Sequence, residues 1–231
     1  MSATIVASDA VQIEWQRRVP AEYAVSALAQ DLALRLTMFG APSTLIEQAL
    51  TMALDELAHA ADAASVAAAA GATGTPVFDP AAFAFESDDD PVFNILVAVV
   101  PSLCLGETLA LRIVHHMRDV ARVPAARVAL DRIVRDEPRH AALGWQILDW
   151  LLDTEYEERV HLFVGRELPR WTESLRRSFA GEHAAPHLAG ITEADREWGL
   201  AYVDDVREIF AVTVVRDWEP RLGRRGFTAA A

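Results

Sequence analysis

The chain has 231 residues, enough for one large domain or two small ones, and 52 % of them are apolar, so it can bury a substantial core. Its 34 acidic and 21 basic residues give a net charge of -13. That is the wrong sign for a protein that grips a phosphate backbone, which excludes nucleic acid as a partner.

Cys104 is the only cysteine, which rules out an internal disulfide, a CxxC redox pair and a rubredoxin-type iron centre. No uncharged apolar run reaches the ~18 residues of a membrane-spanning helix, so no membrane association is expected. The stretch "MSATIVASDA" has no basic segment followed by an apolar one, so it does not read as a signal peptide. The chain reads as reduced and cytoplasmic.

In chain order, the first helix is expected over residues 20–39, with Pro20 in a first-turn position and a stop at Gly40 and Pro42. Ser43 or Thr44 can cap the second, which runs to about Ala70 and is nearly all alanine in its second half. Residues 71–91 contain three prolines and an acidic run without periodicity. They read as a long crossover, with Phe78, Phe83 and Phe85 as anchors.

A third helix spans roughly 92–120 with an early kink at Pro101, and a fourth about 125–152. Two more are expected over 155–178 and 192–218, joined by "AGEHAAPHLAG", with Thr192 and Asp195 as an N-terminal capping pair. Strand signals are nearly absent, so the class is all-α. Two helical hairpins joined by one long crossover is the connectivity of the ferritin-like four-helix bundle. The whole chain is expected to be one domain, with the bundle over about 20–152 and a helical extension over 155–218.

The stretch "DELAHA", residues 55–60, returns as "DEPRHA", residues 136–141, in a chain with only 7 histidines. Residues three apart share a helix face, so Glu56 points with His59, and Glu137 with His140. A lone Glu-x-x-His is weak evidence of anything. Position strengthens the pair. Counted from the turn near Ala41, Glu22 lies 19 residues before it, and Glu56 and His59 lie 15 and 18 after. At ~1.5 Å per residue these stand at heights of roughly 28, 22 and 27 Å. Around the second turn, near Arg122, Glu107 stands level with Glu137 and His140 in the same way.

Antiparallel hairpins therefore bring Glu22, Glu56, His59, Glu107, Glu137 and His140 together at mid-bundle, the arrangement of a carboxylate-bridged di-metal site. Four carboxylates balance two divalent ions, and one imidazole serves each. So oxygen-rich a set suits iron or manganese better than zinc. Without metal it would place four acids in an apolar core at several kcal/mol each. Asp55 and Asp136, each four residues before its motif histidine, can accept the outer N–H of an imidazole and fix its tautomer. Their alternative role is that of ordinary surface acids, and Arg139 can pair with either. Pro138 fits badly inside the second motif, costing ~3 kcal/mol or more unless a bulge or kink absorbs it.

The segments "RRVPAEYAVSALAQ", "LDELAHA", "CLGETLAL" and "RDEPRHAALGWQILDWLL" resemble the ferritin-like di-iron proteins. They look closest to bacterial ferritin-like domain proteins of largely unassigned chemistry, whose C-terminal helix "GITEADREWGLAYVDDVREIFAVTVVRDWEPRL" also resembles. Matched position by position, the resemblance implies the same six ligands. The chain departs from that family at Tyr23, where histidine is common, at Ala58, where arginine is common, and at Pro138.

The expected function is a non-haem di-iron oxidoreductase. Two iron ions (manganese is the alternative) with dioxygen as co-substrate would oxidise a small organic molecule, supplied with electrons by an external donor. A ferroxidase or storage protein, a dimanganese peroxide-destroying protein and a bare helical scaffold are the competing readings. A homodimer is compatible with each. The C-terminal helices and the crossover are expected to wall a substrate pocket. Phe78, Phe83, Trp145 and Trp171 are either its aromatics or core filler. His115 and His116 lie over two turns from Glu107, and His161, His183 and His187 read as surface or loop residues.

Overall fold

The computed structural model describes residues 7–83, 89–181 and 186–228, and over these the chain is all-α, with no strand among the described residues. Phe85 and His183 lie outside them. Helix α1 is Asp9–Met38, α2 is Ser43–Ala69 and α3 is Pro91–Ala98. From α3 the chain continues through π-helical turns over Val99–Glu107 into α4 (Thr108–Val120), making one helix of 30 residues, Pro91–Val120. Then come α5 (Pro124–Leu152), α6 (Glu157–Leu175), the short α7 (Glu193–Arg196), α8 (Val203–Thr213) and α9 (Glu219–Gly223).

Helix α1 packs along α2, α2 against α5, α5 against α4 and the π-helical turns, and α3 returns to α1. The four long helices thus enclose a common core. The helix Pro91–Val120 is long and apolar enough to cross a membrane, yet 67 % of its most apolar window is buried. Its hydropathy is used in this core.

Three expectations about helix limits change. Helix α1 begins at Asp9, capped by Ser8, and carries Pro20 in its interior. Val11, Trp15 and Val19 recur every four residues and are buried. At roughly 1.5–3 kcal/mol each they outweigh the ~3 kcal/mol penalty of an internal proline. Helix α2 starts at Ser43 behind Pro42, and no side chain caps it. The expected helix over 192–218 is interrupted: Thr192 and Asp195 form the anticipated capping box on α7, but Gly199 at φ +85° breaks the chain before α8.

Pro101 falls within the π-helical turns, where the altered hydrogen-bond pattern accommodates its missing N–H. Pro138, by contrast, lies in an uninterrupted α-helix, so the irregularity sits on the helix facing the second motif and not on the motif itself.

The π-helical turns are held from two sides. Trp218 donates its indole N–H to the Leu105 carbonyl at 3.2 Å, and Trp145 donates to Thr108 Oγ1 at 3.2 Å. On α5, Gly144 lets the two backbones touch: a Cβ there would stand 2.6 Å from Leu103 Cβ and 2.8 Å from Cys104 N. Gly144→Ala is therefore expected to push α5 away from the turns that carry Glu107. The cost should be ~1–3 kcal/mol, with weaker metal retention, read by thermal melting beside metal analysis. An unchanged melting temperature would disprove the close contact.

Cys104 is fully buried beside these turns, and burial pushes its thiol up, so it is an apolar filler and not a nucleophile. His116 pairs with Asp205 at 3.0 Å, and His161 stacks on Phe227 at 4.9 Å, both remote from the motifs.

Candidate metal centre

Helix α2 carries Asp55, Glu56 and His59, and α5 carries Asp136, Glu137 and His140, each motif on a face turned toward the other helix. Helix α1 supplies Glu22, and Glu107 is the last residue of the π-helical turns. Glu56, His59, Glu107, Glu137 and His140 are buried. Glu22 is half-buried because it faces a cavity. The structure thus brings together all of the carboxylates and imidazoles that the spacing predicts.

Glu56 is the centre of the arrangement. Ligand atoms of Glu22, Glu56 and His59 lie within 4.8 Å of one another, and so do those of Glu56, Glu137 and His140. The two groups share only Glu56. His59 Nδ1 lies 3.1 Å from Glu56 Oε2, and His140 Nδ1 lies 2.9 Å from Glu56 Oε1. The His140 contact lacks hydrogen-bond geometry, so this buried nitrogen has no partner, and neither has Glu137 Oε2. Unpaired buried polar atoms are uncommon and call for a reason. Two of them on residues of one ligand group suit a set of side chains that can hold a cation. Glu107 stands beside Glu137, and Glu22 beside Glu56, near enough for each carboxylate to shift its neighbour's titration.

The outer nitrogens settle the roles of the aspartates and correct their pairing. His59 Nε2 lies 3.4 Å from Asp136 Oδ2, and His140 Nε2 lies 3.0 Å from Asp55 Oδ2. Each aspartate serves the histidine of the other motif, across the α2–α5 contact, and not the one four residues along its own helix. Donation from Nε2 leaves the Nδ1 lone pair directed inward, the tautomer a metal requires. Arg139 bonds both aspartates, at 3.0 Å to Asp55 and 2.8 Å to Asp136. Arg135 adds a second cation at Asp136, 3.1 Å away. These acids are neither free surface charges nor interchangeable with neutral residues.

Charge balance explains the titration of the cluster. Burial, with Glu56 alongside, raises Glu22 well above the carboxylate range. Burial and Glu107 do the same to Glu137. Glu107 is pushed up to about 6, first by burial and then by Glu56. Burial would also raise Glu56, but the His140 and His59 imidazoles overcome it and hold that carboxyl at about 2. His140 is lowered by burial and raised more strongly by Glu56 and Asp55, reaching about 9. Without a cation the cluster favours protons on Glu22, on Glu137 and, below about pH 6, on Glu107, while Glu56 stays ionised. That is the expected response of a site built to surround positive charge. The donor set, carboxylate oxygens with one nitrogen per group, can hold metal ions.

A cavity of about 530 Å³ opens onto this cluster, with Glu22, Glu56, Glu107 and Glu137 as its floor. Its walls are mostly apolar, and α6 closes one side with Trp171 and Leu175. The expectation that the C-terminal helices wall a pocket holds for α6. Among the described residues the crossover contributes none to the lining. Phe78 stacks on exposed Tyr23 at 5.2 Å, Phe83 is half-buried outside the cavity, and Trp145 is core.

Two features escaped the sequence reading. The indole of Trp218 steadies the turns around Glu107. Glu14 on α1 links Arg18 at 3.1 Å with His187 at 2.8 Å at the far end of the cavity, so His187 is no free loop residue. The first was legible only as one more tryptophan. The second lay in a stretch not read as helix. Comparison with protein-family models and with curated proteins gives no match for this chain.

Proposed function

We propose that the chain is a ferritin-like four-helix bundle holding two iron ions, and that it is an oxidoreductase using dioxygen to oxidise or oxygenate a small organic molecule. The observation that carries this reading is the sharing of Glu56 by two oxygen-rich, one-nitrogen groups directly under a largely apolar cavity. A ferroxidase needs only a narrow polar path for ions. Apolar space of about 530 Å³ above the cluster suits an organic substrate instead.

Glu22, Glu56, Glu107, Glu137, His59 and His140 would hold the metals, Glu56 being common to both groups. Two such ions would supply the electrons that reduce dioxygen, and an external donor would restore them. The protein does the remaining work. Asp55 and Asp136 keep both imidazoles in the metal-ready tautomer, and Arg139 ties both aspartates in place. Glu107 sits where the cluster meets the cavity, on a backbone of π-helical turns that can let a carboxylate change its mode of contact. The apolar walls exclude water and hold a substrate against that edge.

The test is metal analysis and optical spectroscopy of protein reconstituted anaerobically with ferrous iron and then exposed to oxygen. Two irons per chain, a transient visible absorption, and loss of both in Glu107→Ala are expected. Fewer than one metal per chain, unchanged in Glu107→Ala, would remove the di-metal reading. A cage-sized particle that accumulates ferric iron would instead favour the storage reading.

A further inference from the structure

The cavity over the carboxylate floor has a polar end that the metal cluster does not explain. Arg18 lies one helical turn, ~6 Å, before Glu22 on the same face of α1, and lines the cavity together with Arg17. One edge of the Arg18 guanidinium is engaged by Glu14 at 3.1 Å and by Met117 Sδ at 3.1 Å. Its Nε is buried and has no partner. Burial would raise Glu14, but Arg18 and His187 hold it at about 2, so it is ionised and matches the Arg18 charge. Arg17 has no acidic partner among the described residues, although it stands on a chain of net charge -13. The mouth of the cavity therefore carries one unmatched positive charge and a guanidinium with a free donor.

Further cavities adjoin this space on either side. A second cavity of about 420 Å³, which also has Asp31 and Arg35 in its lining, shares Val25, Pro101, Glu107 and Trp171 with the first, so the two adjoin past the floor. A third, of about 170 Å³, shares Ile113 and Phe179 at the arginine end. This is room for a chain rather than a compact ring. Its charge balance suits a monoanion. A dianionic phosphate would bring an excess negative charge toward a floor of carboxylates.

We propose that the cavity binds an aliphatic monocarboxylate, with its carboxylate on Arg17 and Arg18 and its chain lying along the apolar wall over Glu22 and Glu107 toward Trp171. This deepens the oxidoreductase reading by naming its substrate class. Guanidinium forks recognise carboxylates through paired N–H donors, which a neutral or cationic head group cannot accept equally. Fixing the head at Arg18 sets which chain carbons lie over the floor, so the position of attack would follow from the distance to the carboxylate.

The experiment is calorimetric titration, without oxygen, of the full chain in its metal-free and Mn(II)-loaded forms. The probes are hexanoate, octanoate, decanoate, octanol and octylamine. Octanoate is expected to bind at least tenfold more tightly than octanol or octylamine, and affinity should rise about fourfold per added methylene. Arg17→Ala, at an exposed position, should weaken octanoate at least fivefold while leaving octanol binding and Mn(II) content unchanged. Equal binding of octanoate and octanol, or no octanoate binding in either form, would overturn the proposal. So would binding that requires Mn(II) and ignores Arg17→Ala, since the carboxylate would then sit on the metal. Octanoate binding by a chain that takes up no metal would refute the di-metal reading and leave this one standing.

Discussion

Glu56→Ala is expected to empty both metal positions at once. The two ligand groups meet only at this carboxylate, with His59 Nδ1 at 3.1 Å on one oxygen and His140 Nδ1 at 2.9 Å on the other. Removing it leaves each position short of a ligand and leaves two buried imidazoles without the carboxylate they share. Glu22→Ala removes a ligand from one group only, so it should retain about one metal per chain where Glu56→Ala retains almost none. The metal-free protein should suffer too. Deleting one partner of a buried charge pair typically costs about 3–5 kcal/mol. For a chain of this size that is a fall of roughly 10 °C in melting temperature. Metal analysis after dialysis, beside calorimetry of the metal-free forms, checks both. Equal metal retention by Glu56→Ala and Glu22→Ala would refute the shared position.

The second large effect is on pH dependence. Glu107 has a folded value of about 6 against an ordinary 4.5, so the fold favours its protonated form. Its contribution is complete at low pH and lost as pH rises through roughly 4.5 to 6, at about 1.4 kcal/mol per unit. Glu22 and Glu137 shift in the same direction. His140, raised to about 9 from 6.5, contributes fully below pH 6.5 and loses that contribution as pH rises to about 9, on the order of 3 kcal/mol. Glu56, held at about 2, is ionised throughout this range and opposes neither trend.

The metal-free chain should therefore be most stable near pH 5 and lose several kcal/mol by pH 9. Bound Mn(II) should reverse the slope, because each ion displaces protons from its ligands. Melting curves at pH 5, 7 and 9, with and without Mn(II), test this. Glu107→Gln should flatten the metal-free profile between pH 5 and 6 and leave the fall above 6.5 intact. A metal-free profile that is flat, or that climbs with pH, would contradict the origin assigned to these shifts.

The clustering of these residues was legible because it depends on two simple regularities. Helical periodicity puts Glu56 with His59 and Glu137 with His140, and antiparallel hairpins set heights along the axis by residue count. Partner choice around the helix was not legible. Whether Asp55 faces His59 or His140 depends on the rotational phase of α2 against α5, which residue counts do not contain. The early start of α1 was legible in principle, since Val11, Trp15 and Val19 follow a four-residue period, but Pro20 reads locally as a beginning. The π-helical turns left a trace in Pro101. Their support by Gly144 and Trp218 joins elements far apart in sequence and needed the tertiary structure.

The exchange of aspartates between the motifs has a consequence for how the centre can assemble. The hairpin of α1 and α2 holds Glu22, Glu56 and His59, yet the group that orients His59 lies on α5. The second hairpin depends on the first in the same way, through Asp55. Each half is thus incomplete, and the two complete each other reciprocally, as two subunits related by a twofold axis would. As separate pieces they could meet only at a rate set by their concentration. The connection between Ala69 and Pro91 makes that meeting intramolecular, with the effective concentration of a short tether, commonly in the millimolar range. A chain diluted to nanomolar levels would still assemble its centre with undiminished probability.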